Sequence, residues 1–255
     1  MSVVQIIFSP TGGTQKVADI ITSEWGKPVE KIDLSDPRTD FGSIRLKQDD
    51  IALIAVPSFG GRVPAPAVQR LEEIQACQAM GVIVCVYGNR AYEDTLIELN
   101  DAAQKSGFRV VAGIAAIAEH SIMHQYAEGR PDEQDSHSLR DFAKKILAKI
   151  QKDPANLSSP DIPGNRPYKK AGGGGLVPKA DSKCISCGRC ADNCPVGAIS
   201  KNNPKATDSK KCISCMRCVA ECPQSARKVN AAMVAAASLA IKKACSVRKE
   251  NELFL

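Results

Sequence analysis

The sequence predicts an α/β chain: a doubly wound parallel sheet in residues 1–152, followed by a small α+β domain held together by cysteines. Three observations predict it. Apolar runs without strict alternation recur at 3–8, 50–57, 81–87 and 109–118, with a further strand pattern at 29–34. Helical patterns fall between them at 64–76, 91–107 and 138–152. Strands buried on both faces read this way, and strand–helix alternation implies a parallel sheet with right-handed crossovers. The second observation is that VVQIIF runs straight into the turn SPTGGT and then the helical GTQKVADIITSEW. The third is a repeat: CISCGRCADNCP from Cys184 returns twenty-eight residues later as CISCMRCVAECP from Cys212.

Composition bounds the function. A chain of 255 residues with 44% apolar content has room for one large and one small domain. Residues 1–150 hold 16 Lys/Arg against 20 Asp/Glu, and the remainder 18 against 8. That basic second part surrounds the cysteines and comes without a nucleic-acid fold signature, so nucleic acid is not the expected partner. The start MSVVQIIFSP has no basic leader pattern, and the apolar run AAMVAAASLAI from Ala231 falls short of the roughly 20 residues of a membrane helix. A cytoplasmic protein without membrane attachment is expected. Thiols stay reduced there, so eleven cysteines argue for metal or redox chemistry over a disulfide frame. Residues 153–178 read as a Pro- and Gly-rich linker, 179–229 as the cysteine domain and 230–255 as an Ala-rich C-terminal helix whose LFL end docks as an anchor.

Each cysteine run has the spacing C-x2-C-x2-C-x3-C-P: Cys184, Cys187, Cys190 and Cys194, then Cys212, Cys215, Cys218 and Cys222. Three close thiolates wrap one face of a cubane, and the proline turns the chain away after the fourth. Zinc sites space their cysteine pairs by longer inserts. The runs resemble bacterial ferredoxins with two [4Fe–4S] clusters, in which the fourth cysteine ligates the other cluster. The resemblance implies one cluster on Cys184, Cys187, Cys190 and Cys222, and another on Cys212, Cys215, Cys218 and Cys194. Lys183, Arg189, Lys210, Lys211 and Arg217 flank the runs as counter-charge, as solvated surface or as a docking face for an acidic partner. Cys77, Cys85 and Cys245 fit no cluster spacing, and Cys85 reads as core.

The turn SPTGGT offers the hydroxyls of Ser9, Thr11 and Thr14, the backbone of Gly12 and Gly13, and a helix N-terminus. Such a loop suits a phosphate monoester. It lacks the Gly-Lys-Ser/Thr of a Walker loop and the GxGxxG dinucleotide fingerprint. It resembles the FMN phosphate loop of flavodoxins. That resemblance implies a flavodoxin-like, doubly wound five-stranded parallel sheet of order 2-1-3-4-5, with FMN at the carboxyl ends of the first and third strands. The loop SFGGRVP then places Ser58, Phe59, Gly60 and Gly61 beside the flavin ring. The loop YGNRAYEDT adds Tyr87, Gly88, Asn89 and Tyr92, with a tyrosine for stacking and Asn89 for the ring's polar edge. His120 follows the fifth strand, either as a proton donor in the crevice or as a polar residue satisfied in a turn. The single tryptophan, Trp25, is expected to be packing.

The whole chain resembles fusions of an N-terminal flavodoxin-like domain with a C-terminal two-cluster ferredoxin domain. It does so through SPTGGT, PSFGGRVPAP, YGNRAYEDT, HSI…GRPD, PGNRPYKK and both cysteine runs. The resemblance implies an electron carrier with FMN and two [4Fe–4S] clusters, working between redox partner proteins. The alternative is an FMN-dependent reductase of a small molecule, fed by its own clusters, with His120 and Tyr92 at its pocket.

Overall fold

Five strands form one parallel sheet in the computed structural model, which describes residues 2–154, 156–172 and 175–255. They are β1 (Val3–Ile7), β2 (Val29–Asp33), β3 (Ile51–Pro57), β4 (Met80–Tyr87) and β5 (Arg109–Ile117), in the order 2-1-3-4-5. The period-two alternation of side chains divides the core. Val4, Ile6 and Phe8 face one layer of packing, and Val3 and Ile7 face the other. Helix α1 (Gly13–Ser23) and helix α4 (Glu133–Lys152) cover one face through Val17, Ile21, Leu139 and Ile146. Helix α2 (Ala65–Glu73) and helix α3 (Thr95–Lys105) cover the other through Ala67, Leu71, Leu96 and Leu99. Each such fully buried Leu or Ile is worth about 1.5–3 kcal/mol. Trp25 packs in the α1–α4 layer and donates its indole N–H to the Ala143 carbonyl at 3.2 Å.

Helix boundaries differ from the sequence reading where caps intervene. Helix α4 starts five residues early because Asp132 caps it, accepting from the Asp135 amide at 3.0 Å while the Asp135 carboxylate accepts from the Asp132 amide. Helix α3 starts at Thr95, since residues 91–94 are spent on loop contacts.

The linker is not slack. Ile162 is buried in the sheet's core, and Asp94 accepts from the amides of Asn165 and Lys169 at 2.9 and 2.7 Å. Arg166 and Tyr168 both bond Asp101 on α3. These contacts strap residues 162–169 across the start of α3. Of the AGGGG run, Gly172 lies against Gly60, and residues 173 and 174 fall outside the described residues.

The cysteine domain is bounded by two short strands, β6 (Lys179–Ala180) and β7 (Arg227–Lys228), paired antiparallel. Between them lie α5 (Arg189–Asp192) and α6 (Arg217–Ala220). Helix α7 (Ala231–Cys245) follows, capped by Asn230. The last residues are not helical: β8 (Glu252–Phe254) joins β5 antiparallel as a sixth strand, with Leu253 and Phe254 packing against the two core layers. The apolar LFL end is thus an anchor, as a strand.

Candidate redox site

The loop after β1 is a glycine turn that opens helix α1. Gly12 has a φ of 92°, which glycine adopts freely, and it stands as the N-cap of α1. Ser9 Oγ accepts from the Gln15 amide at 2.9 Å, which closes the turn. Thr11 and Gly12 are exposed, Gly13 is half-buried and Thr14 is buried. The first turn of α1 carries Lys16 and no carboxylate. The Lys16 amide donates to the Gly12 carbonyl at 3.0 Å, and the opening amides of a helix ahead of that bond have no intrahelical acceptor. Below the loop the buried Gln5 is held by Thr22, Asp19 and Gln15. Ser9, Thr11 and Gly12 line one wall of a cleft of about 450 Å³; Arg217, Ala220 and Glu221 of the cysteine domain line the other.

The two loops read as the ring site are brought together, but by packing on each other. The Asp94 amide donates to the Gly61 carbonyl at 3.1 Å, and the Ser58 and Thr95 hydroxyls are 2.7 Å apart. A Cβ on Gly60 would run into the Gly172 carbonyl, and one on Gly61 into the Glu93 carboxylate. These glycines therefore admit the chain's own segments, not open space for a flat ring. Phe59 is partly buried against the core. Tyr87 and Tyr92 meet edge to face at 5.3 Å, and the Tyr92 hydroxyl donates to Glu252. Both line a second cavity of about 660 Å³ with Asp94, Asn165, Lys249 and Glu252, separate from the cleft beside the loop after β1. The expected role of Asn89 is corrected. Its side-chain amide donates to the carbonyls of Cys245 and Val247 at 3.0 and 2.8 Å, and its oxygen accepts from the Lys249 amide at 3.0 Å. All of its bonding goes to the C-terminal segment.

His120 is satisfied in a turn. Its Nδ1 accepts from the amides of Ile122 and Met123, both at 3.2 Å, and the ring packs against Gly88. Burial pulls its pKa below the ordinary value, which keeps the ring neutral. It does not line either cavity described above.

The cysteine runs repeat in backbone as in sequence. Ser186 and Ser214 have φ of 55° and 54°, and Gly188 and Met216 have 78° and 62°. These left-handed turns bend each loop around its first three cysteines. The Cys194 and Cys222 amides each donate one turn back, at 3.4 Å, to Ala191 and Val219. The amides of Ala198 and Ala226 donate to the Sγ of Cys194 and Cys222 at 3.2 and 3.3 Å, and that of Ser214 to Cys212 Sγ at 3.4 Å. Amide donors aimed at sulfur suit thiolate ligands of a cluster, whose charge they delocalise. Burial pushes the Cys218 thiol up to about 12 and the Cys215 thiol up to about 11. Metal coordination reverses this logic by binding the deprotonated form.

Contacts between the domains escaped the sequence. Arg70 donates to the Leu34 carbonyl and to the carbonyl of Pro195, the proline of the first run, both at 2.6 Å. Arg217 reaches Asp33 at 3.4 Å, and Ile213 packs against the core of the sheet domain. Twenty-eight residues earlier, Ile185 is 63% exposed. The second run is therefore the inner one and the first faces outward. No sequence signal distinguishes the two isoleucines, because both stand in the same CISC context.

Residues 183–227 match the family model of the 4Fe-4S dicluster domain. This segment is an iron–sulfur domain. The dicluster match supports electron-transfer chemistry involving iron–sulfur for this segment. No curated protein matches the chain. Among solved structures it is similar to the rubredoxin:oxygen oxidoreductase of the anaerobe Desulfovibrio gigas, with 14% identity over 61% of this chain and a TM-score of 0.44. It spans only 37% of that protein. It is also similar to a flavodoxin from the domain Archaea, with 15% identity over 59% of this chain and 99% of that one, TM-score 0.44. A Fusobacterium nucleatum flavodoxin bound to flavin mononucleotide has 15% identity over 58% and 98% of the two chains, TM-score 0.42. Among the described residues no helix is long and apolar enough to cross a membrane.

Proposed function

We propose that the chain carries electrons between redox partner proteins through FMN on the sheet domain and two [4Fe–4S] clusters on the dicluster domain. The observation that carries this reading is the shared cleft: the phosphate loop forms one wall, and α6, inside the second cysteine run, forms the other. A flavin supplies one- or two-electron exchange and a cluster supplies one-electron exchange, so adjacency serves the conversion between them. In this reading Ser9, Thr11, Gly12, Gly13 and Thr14 hold the phosphate with hydroxyls and amides. Cys215, which is buried, and Cys212 and Cys218, which are half-buried, hold the inner cluster. Ile213 and Arg217 fix that run against the sheet domain. Ile185 and the exposed lysines beside the first run present the outer cluster to a partner.

A second reading is favoured by the cavity beside Tyr87 and Tyr92, which has room for a small diffusible acceptor. Reduction of such a molecule would proceed there without help from His120.

The deciding measurement is acid-released FMN, iron and sulfide on anaerobically purified protein. About one FMN with about eight iron and eight sulfide per chain is the expected result. Full iron without flavin, after FMN is supplied, would reduce the sheet domain to a docking module. Turnover of a diffusible acceptor without a partner protein would favour the second reading.

A further inference from the structure

The cavity of about 660 Å³ opens where three distant segments meet: the loop after β4, the strap of residues 162–169 and the C-terminal tail. Its wall carries the rings of Tyr87 and Tyr92 and five charged groups, Glu93, Asp94, Lys169, Lys249 and Glu252. Three carboxylates thus stand against two ammoniums. Tyr87 is 5% exposed, and its hydroxyl has no hydrogen-bond partner among the described residues. A phenol that deep is ordinarily hydrogen-bonded. Burial first, and then the charge of Glu252, raise the pKa of Tyr87 and of Tyr92, so both phenols stay protonated.

The bonding of the charged groups decides what the cavity can take. Lys169 Nζ pairs with Glu93, which also pairs with Arg90 at 3.0 Å. Lys249 Nζ donates to the Arg90 carbonyl. Asp94 is 3% exposed and accepts from the Asn165 and Lys169 amides and from the Asn165 side chain. Glu252 is left over. Its carboxylate accepts only from the Tyr92 hydroxyl, at 3.3 Å, and pairs with no cation among the described residues. An anion entering the cavity meets ammoniums that are already engaged and a carboxylate that is not. A cation meets the reverse.

We infer that this cavity is a binding site for a small organic cation, a primary amine on a short apolar body. The ammonium donates to the Glu252 carboxylate and to the Tyr87 hydroxyl oxygen, and the apolar body lies along the tyrosine rings. Tyrosine rings attract cations through their negative faces, and the attraction grows where water is excluded. A charge-assisted hydrogen bond to a carboxylate adds to it. An aromatic wall with one uncompensated carboxylate therefore selects by the sign of charge as well as by shape. The inference needs no electron transfer. It narrows the second reading above, in which an acceptor is reduced in this cavity, to cationic acceptors.

The test is calorimetric titration of the anaerobically purified full chain with three probes of one shape: benzylamine, benzyl alcohol and benzoate. Benzylamine, protonated at neutral pH, should bind. The alcohol and benzoate should bind about five-fold more weakly or worse. Added salt should weaken the amine and not the alcohol. Glu252→Gln keeps the size of the side chain and should lose the preference for the amine over the alcohol. If amide exchange at Glu252–Phe254 shows that this variant releases β8, Tyr87→Phe decides instead: it should weaken the amine, and unchanged amine binding would overturn the inference. So would no binding of benzylamine to wild type, equal binding of the alcohol, tighter binding of benzoate, or a Glu252→Gln chain with β8 in place that still prefers the amine. FMN, iron and sulfide content per chain decides the readings above separately from this titration.

Discussion

Asn193 and Glu221 occupy equivalent positions in the two cysteine repeats, and they meet: Asn193 Nδ2 donates to Glu221 Oε2 at 2.6 Å. The repeat is thus closed on itself at its local twofold, where α5 and α6 pack. Two loops of metal-dependent structure gain a metal-independent contact there.

Asn193→Ala should weaken that closure by about 1–2 kcal/mol, the value of a half-buried hydrogen bond to a charged acceptor. The check is chelator-induced loss of visible absorbance at equal iron loading. A double-mutant cycle with Glu221→Ala should show coupling of similar size. Additive effects would mean the bond contributes nothing.

Asn89→Ala should free the C-terminal segment. It removes three hydrogen bonds from a side chain that is 4% exposed, and it leaves a non-glycine residue at a φ of 64°. The expected cost is about 2–4 kcal/mol. Amide exchange at Glu252–Phe254 should quicken more than exchange in β1 or β3. Uniform exchange across the sheet would contradict the local role of Asn89.

The two cofactor sites should fail separately. Thr11→Ala with Thr14→Ala should lower FMN content and spare iron. Cys184→Ala should lower iron and spare FMN. Riboflavin, which lacks the phosphate, should bind both wild type and the threonine variant poorly. Equal loss of both cofactors in both variants would make the domains one cooperative unit.

His120 should make stability pH-dependent. Burial lowers its folded pKa below the ordinary 6.5, so the unfolded chain binds the proton more tightly. Stability is therefore undiminished by this group above about pH 6.5 and falls as pH drops from there towards the folded value. His120→Gln should lose that slope between pH 7 and 5 in denaturant melts. An unchanged slope would assign the acid sensitivity elsewhere. If turnover of an acceptor in the cavity beside Tyr87 and Tyr92 is found, the same variant should retain it, since His120 does not line that cavity.

Much of the fold was legible because it is local. Val3–Ile7, Ile51–Pro57, Met80–Tyr87 and Arg109–Ile117 are apolar runs buried on both faces, and the prolines at 64 and 66 mark the start of α2. Less of the site was legible. Gly60, Gly61 and Asn89 read equally well as flavin contacts and as packing contacts, and the choice was made by segments far along the chain. Asn89 meets partners 156 to 160 residues away. Gly60 meets a linker residue that carries no pattern of its own.

By itself, the sequence determined the iron–sulfur domain and the order of strands and helices, and it marked the loop after β1 as the site proposed for a phosphate. Thiolate spacing, strand burial and helix N-termini act within a few residues, so their chemistry is written locally. The tertiary structure decided which cysteine run lies inside, that the LFL end is a strand on β5, and that Arg227 is buried against Thr207 and the carbonyls of Pro178 and Pro204. Those outcomes depend on which distant surfaces meet, and two copies of one motif are alike until one of them is packed against the rest of the chain.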